Sequence, residues 1–173
     1  ELNMYEDMPQ RKIGDIFMHL LYGDQPAGWD VGGEKDIIRK LTKDDFTKYR
    51  GAHYLPPATI LVVAGNFEES KILAQAEKLF SGMTPGSKGS KLPVKENQTK
   101  PEIFLKHKES DQTHIMIGVR AFSMFDQRRY ALEVLADILG GGMSSRLFQT
   151  VREELGAAYY VRASADLYTD HGY

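Results

Sequence analysis

No cysteine occurs in the 173 residues, so a disulfide framework, a thiolate nucleophile and any cysteine-ligated metal site are excluded at the outset. The same lack fits a reducing compartment, the bacterial cytoplasm ahead of the mitochondrial matrix. No apolar run approaches the roughly 20 residues that span a bilayer, so no membrane partner is expected. The opening stretch, ELNMYEDMPQ, carries acids where a secretory signal carries bases and an apolar core. Charge of one sign is lacking too: 22 Lys and Arg stand interspersed among 24 Asp and Glu, a net −2. That balance offers no basic face to nucleic acid. Repeats of short period are absent. What is present is globular composition, 42% apolar and 27% charged, enough for one large domain or two small ones. The chain opens without a cap and closes at LYTDHGY, where a strand-like pattern meets a turn; it is expected to be an internal piece of something longer.

Periodicity sets the expected elements. Ile13, Ile16, Phe17, Leu20 and Leu21 recur at helical spacing up to Gly23, which predicts an amphipathic helix over about 3 to 22. Thr42 with Asp45 resembles a capping box, flanked by Leu41 and Phe46 as a hydrophobic staple, and predicts a short helix through Tyr49. The run TILVVAG, 59 to 65, is β-branched and apolar on both faces, as a covered strand is. A helix carrying Ile72, Leu73, Ala76 and Phe80 follows, opened by Asn66 and Glu69.

Residues 81 to 100, SGMTPGSKGSKLPVKENQTK, are almost wholly Gly, Pro, Ser, Lys and other polar types, and read as a linker. Beyond it, strands are predicted at 102–107, 113–119 and 159–167, with a helix carrying Ala131, Val134, Leu135 and Ile138. The expected fold is therefore α+β, with mainly antiparallel sheets backed by helices in two units, 1–80 and 101–173.

The stretch GGGMSSRLFQTVREELGAAYYV, 140 to 161, is the densest in signals. Its three glycines suit a tight reversal between helices at positive φ, and Ser144 or Ser145 can cap the helix that follows. A phosphate loop is excluded, for no strand precedes the glycines and no Lys-Ser/Thr follows them. Leu147, Phe148, Val151 and Leu155 form the apolar stripe of that helix, and Arg152 emerges at its margin one turn after Phe148. Gly156 stops the helix, so Arg152 and Tyr159 can approach across a helix-to-strand corner. The residues alone equally allow a solvated Arg152 and a Tyr159 packed in the core beside Val161 and Ala163.

Taken in order, ELNMYEDMP, LLYGDQPAGWDVGG, FTKYRGAHYLPPATILVVAGNF, LGGGMSSRLFQTVREELGAAYYV and YTDHGY resemble the insulinase/pitrilysin family of zinc metallopeptidases, in particular its mitochondrial-processing-peptidase-like branch. The resemblance implies successive α+β domains, with the end of one metallopeptidase-like domain at 1–80 and the start of a second at 101–173. It implies zinc in the full-length parent, held by two histidines of an upstream H-x-x-E-H helix and by a downstream glutamate. Glu1 is the position matching that glutamate; Glu6, inside the following run, matches less well. The resemblance further implies that Arg152 and Tyr159 match an arginine-tyrosine pair that binds substrate backbone and supports a developing oxyanion. Implied partners are an extended peptide substrate and a second family half, in a homo- or hetero-oligomer. Where relatives often carry GLAYS and HPLG, this chain carries GAAYY and QPAG.

His19, His53, His107, His114 and His171 never fall in H-x-x-E-H or H-E-x-x-H spacing. Surface or hydrogen-bonded structural roles are expected for all of them, and the isolated chain is expected to be inactive. Two functions follow: the parent hydrolyses peptide bonds as a zinc metalloendopeptidase, or it is a catalytically silent subunit of the same family that binds substrate or scaffolds a partner.

Overall fold

A computed structural model describes residues 1–173 as a largely helical chain that divides into two compact units, 1–31 with 93–173, and 32–92. In the first unit, α1 (Leu2–Glu6) and α2 (Pro9–Tyr22) replace the single helix expected over 3 to 22. Pro9 explains the break. Its ring pushes Met8 out of helical geometry, whereas its fixed φ and missing N–H suit the first position of α2.

The core of this unit gathers on α2, where Phe17, Leu21 and Tyr22 are buried and Met18, Ala27, Val94 and Tyr173 pack against them. Tyr173 places its ring 5.6 Å from Phe17. Tyr22 donates its hydroxyl to the Gly172 carbonyl at 3.2 Å, and its ring meets the buried His171 edge-on at 4.9 Å. His171 stacks on Tyr168 at 4.6 Å, and its Nδ1 lies 2.8 Å from Asp170 Oδ1. The C-terminal residues 168–173 thus close over α2. Arg120 completes the cluster, its guanidinium 3.9 Å from the Tyr22 ring centre, paired with Glu96 and donating to the Leu21 carbonyl.

The second unit holds α3 (Lys35–Ile38), α4 (Lys43–His53) and α5 (Glu69–Phe80). The Thr42–Asp45 capping box forms as expected, with Asp45 Oδ2 accepting from the Thr42 amide at 2.8 Å and its hydroxyl at 2.7 Å. These bonds favour the carboxylate and lower the Asp45 pKa. Leu41 and Phe46 both stand exposed. Of the α5 stripe, Ile72 and Ala76 are half-buried while Leu73 and Phe80 face water. Leu55 is the unit's buried apolar residue.

The expected antiparallel sheets are absent, and the α+β assignment is overturned. Residues 59–64, 102–107, 113–119 and 159–166 form no strand; in the last of them Ala163 donates to the Gly140 carbonyl and Asp166 exchanges backbone hydrogen bonds with Tyr173. The only β pairings are isolated antiparallel bridges of Gly172 with Ala121 and with Leu167. Ile60, Val62, Ile115 and Ile117 are each at least 78% exposed. The physical reason is that alternation records a residue's fitness for a pleated, half-covered surface, whereas a strand needs a neighbouring backbone to accept its hydrogen bonds. These segments find no continuous partner strand, only the isolated contacts at Ala163 and Asp166.

Candidate functional site

The geometry around Arg152 starts at α6 (Arg129–Gly140). None of Gly140, Gly141 and Gly142 has positive φ, contrary to the reversal expected of them. Gly140 instead permits close approach: a Cβ there would lie 2.2 Å from the Ala163 amide nitrogen, which donates to the Gly140 carbonyl at 3.2 Å. Met143 is tied to the next helix by Gln149, whose Nε2 donates to the Met143 carbonyl at 2.7 Å. Ser145 is buried at its start.

Residues Phe148–Glu154 form a π-helix, a wide-turned form that occurs mostly as short segments and is frequent at functional sites. Its register is visible in the Leu155 amide donating to the Thr150 carbonyl at 3.0 Å. Gly156, at φ 57°, takes the left-handed turn that a side chain disfavours, and the chain returns toward Tyr159. That return brings the Arg152 guanidinium to 4.7 Å from the Tyr159 ring centre and leaves it 4.8 Å from the Phe148 ring. Tyr159 is 84% exposed, so its ring does not fill a core here. Arg152 is half-buried, with Nε 3.6 Å from Glu153 Oε1. A guanidinium held over aromatic rings can offer its in-plane N–H groups to carbonyl oxygens. A phenol beside it adds a neutral donor.

Glu1 stands at the N-cap position of α1 without a side-chain capping bond, and is exposed. Its Oε1 accepts from the Tyr5 hydroxyl at 2.8 Å; that bond and partial burial raise the Tyr5 pKa. Glu6 is differently committed, with Lys12 Nζ at 3.1 Å and Lys106 Nζ at 3.3 Å. Hydrogen bonds from these two ammoniums hold its carboxyl below the usual range. Lys12 also reaches Asp30 at 3.4 Å. Of the two glutamates, Glu1 therefore has the less occupied carboxylate. No group of three or more His, Asp or Glu side chains stands where it can hold a metal. The donor set of this chain does not fit a complete zinc site.

The corner that joins Arg152 to Tyr159 was legible from Gly156 and the seven-residue spacing. The π register, the Phe148 ring on Arg152 and the Lys12 hub were not. An (i, i+4) aromatic–arginine pair was the available signal for the second of these.

Residues 40–173 match the family described as Peptidase M16 inactive domain. The chain is 33% identical over 175 residues to an uncharacterized zinc protease of Mycobacterium leprae, covering 99% of this chain and 39% of the relative. It is 36% identical over 173 residues to an uncharacterized zinc protease of Rickettsia bellii and 34% identical over 172 residues to the uncharacterized zinc protease YmxG of Bacillus subtilis, in each case over 99% of this chain and 41% of the relative. The chain thus spans about two fifths of the length of these relatives. Among solved structures, a protease from Helicobacter pylori matches with TM-score 0.65 at 19% identity over 96% of this chain and 41% of that one. A peptidase M16 inactive domain from Pseudomonas fluorescens matches with TM-score 0.67 at 18% identity over 98% and 41%. At those identities the likeness is one of fold.

Proposed function

The chain belongs to the peptidase M16, or insulinase, family, and on that premise we propose that it is the part of a zinc metallopeptidase that presents Arg152 and Tyr159 to an extended peptide. The observation carrying this reading is the Arg152 guanidinium held 4.7 Å from the exposed Tyr159 ring. Arg152 would grip two backbone carbonyls of the substrate in plane, as only a fork-shaped donor can. Tyr159 would donate a hydrogen bond to the oxygen on which charge develops during attack. Both act as neutral or permanently charged donors, so neither must change protonation state during the cycle.

Zinc chemistry, in which a bound metal lowers the pKa of its water and polarises a carbonyl, belongs in this proposal to the full-length parent. Glu1 would be one ligand there, and the histidines would come from residues outside this chain. Residues 1–80 would close one peptidase-like domain and 101–173 would open the next, paired with a second family half. No helix is long and apolar enough to cross a membrane.

A second reading has its own support. The matched family description calls the domain inactive, which favours a catalytically silent subunit that binds substrate or scaffolds a partner. Peptidase kinetics of the full-length parent, with and without Arg152→Lys and Tyr159→Phe, separate the two.

A further inference from the structure

We propose that Phe148 is a positioning residue for Arg152, holding the guanidinium between two aromatic rings so that its in-plane donors face substrate before substrate arrives. The inference rests on the reading of Arg152 as a substrate-binding group. The two rings come from opposite sides of the corner. Phe148 lies one turn earlier on the π-helix, 4.8 Å from the guanidinium carbon. Tyr159 lies beyond the Gly156 turn, 4.7 Å away. Arg152 has one ionic neighbour, Glu153, and that contact of 3.6 Å uses the Nε edge. Both rings lie within cation–π range of the guanidinium carbon, and the terminal nitrogens enter no ion pair.

An unrestrained arginine loses much rotamer freedom on gripping a ligand. Two rings flanking its planar head remove part of that loss in advance, and the arrangement suits a cation because each ring presents its negative face. Phe148 is half-buried, so its ring contributes to the helix face as well. Leucine could serve that apolar role, but it has no π face for the guanidinium. The proposal therefore separates ring from bulk.

The test uses two readouts. In the 173-residue chain, NMR of labelled arginine should show Arg152 side-chain protons shifted upfield by ring currents, with Phe148→Leu removing part of the shift and Phe148→Tyr retaining it. In the full-length parent, Phe148→Leu should raise KM roughly 2- to 5-fold with kcat unchanged, the size an exposed cation–π contact supports. Phe148→Tyr should behave as wild type, and Phe148→Leu should add nothing in an Arg152→Ala background. An Arg152 resonance indifferent to Phe148→Leu overturns the inference, as does an equal loss in the Arg152→Ala background. Arg152→Ala with unchanged kinetics would instead remove the reading of Arg152 as a substrate-binding group, while the ring-current shifts still decide whether Phe148 holds Arg152.

Discussion

Gly140 and Ala163 approach so closely that a methyl group on Gly140 would fall 2.2 Å from the Ala163 nitrogen. Helix propensity alone favours alanine at the end of α6. The clash opposes it, because the nearest atom is backbone and cannot swing aside. Gly140→Ala should destabilise the chain by about 1–3 kcal/mol, the usual scale of overpacking. Gly142→Ala is the control, since nothing lies within 4 Å of a Cβ there. Urea midpoints should drop for the first variant and hold for the second; equal midpoints would remove the close approach as the reason for glycine.

The Arg152–Tyr159 pair makes a kinetic prediction in the full-length parent. Tyr159→Phe deletes one hydroxyl and keeps the ring over the guanidinium, so stability should barely change. If that hydroxyl supports the oxyanion, kcat should fall roughly 10- to 1000-fold. Arg152→Lys replaces a planar fork with a point charge and should impair both KM and kcat. Steady-state kinetics with a peptide substrate check both. Normal turnover in the two variants, with the parent active, would return the pair to a structural role.

The linker reading is open to limited proteolysis. Residues 84–99 carry no regular structure, and nearly all of them are exposed. Residues 94 and 95 are nonetheless tethered: the Val94 amide donates to Asp170 at 3.1 Å, and the Lys95 amide to Gln25 at 2.8 Å. A protease of broad specificity should therefore cut first within 84–92, where Gly, Ser and Lys dominate. First cleavage within 59–64 would displace the expected boundary.

How legible these features were varies with the range of the interaction that makes them. The stripe on α2 and the Thr42–Asp45 box were readable, because each is decided within one or two helical turns. Pro9 held the information for the α1/α2 break, but the stripe that predicted the helix begins at Ile13 and says nothing about where the helix starts. The antiparallel sheets were inferred from alternation at 113–119 and 159–167, yet pairing depends on a partner strand that no local pattern specifies. Gly140 was misread as a turn residue for a similar reason: its need for no side chain comes from Ala163, which is distant in sequence. Phe148 sat in an apolar stripe, and an apolar stripe does not say that one ring also faces a cation.

Alkaline stability should report on Tyr22. Its ring is buried beneath Arg120 and its hydroxyl donates to Gly172. Burial pushes its pKa from about 10 up to about 12, although the nearby Arg120 charge acts in the opposite direction. Tyr173 is raised in the same sense, chiefly by burial and then by Asp166. Between pH 10 and 12 the unfolded chain releases the Tyr22 proton while the folded chain keeps it. The unfolded state then binds fewer protons, so unfolding becomes more favourable as pH rises. This contribution is fully present below pH 10 and is lost as pH climbs through about 12. Tyr22→Phe should cost about 0.5–1.5 kcal/mol near neutrality, for the lost bond to Gly172, yet should flatten the alkaline decline. Denaturant midpoints across pH 8 to 12 for both proteins measure the two effects separately. Parallel declines would mean that Tyr22 ionises as readily in the folded chain as in the unfolded one, and that Tyr173 or another group sets the alkaline limit.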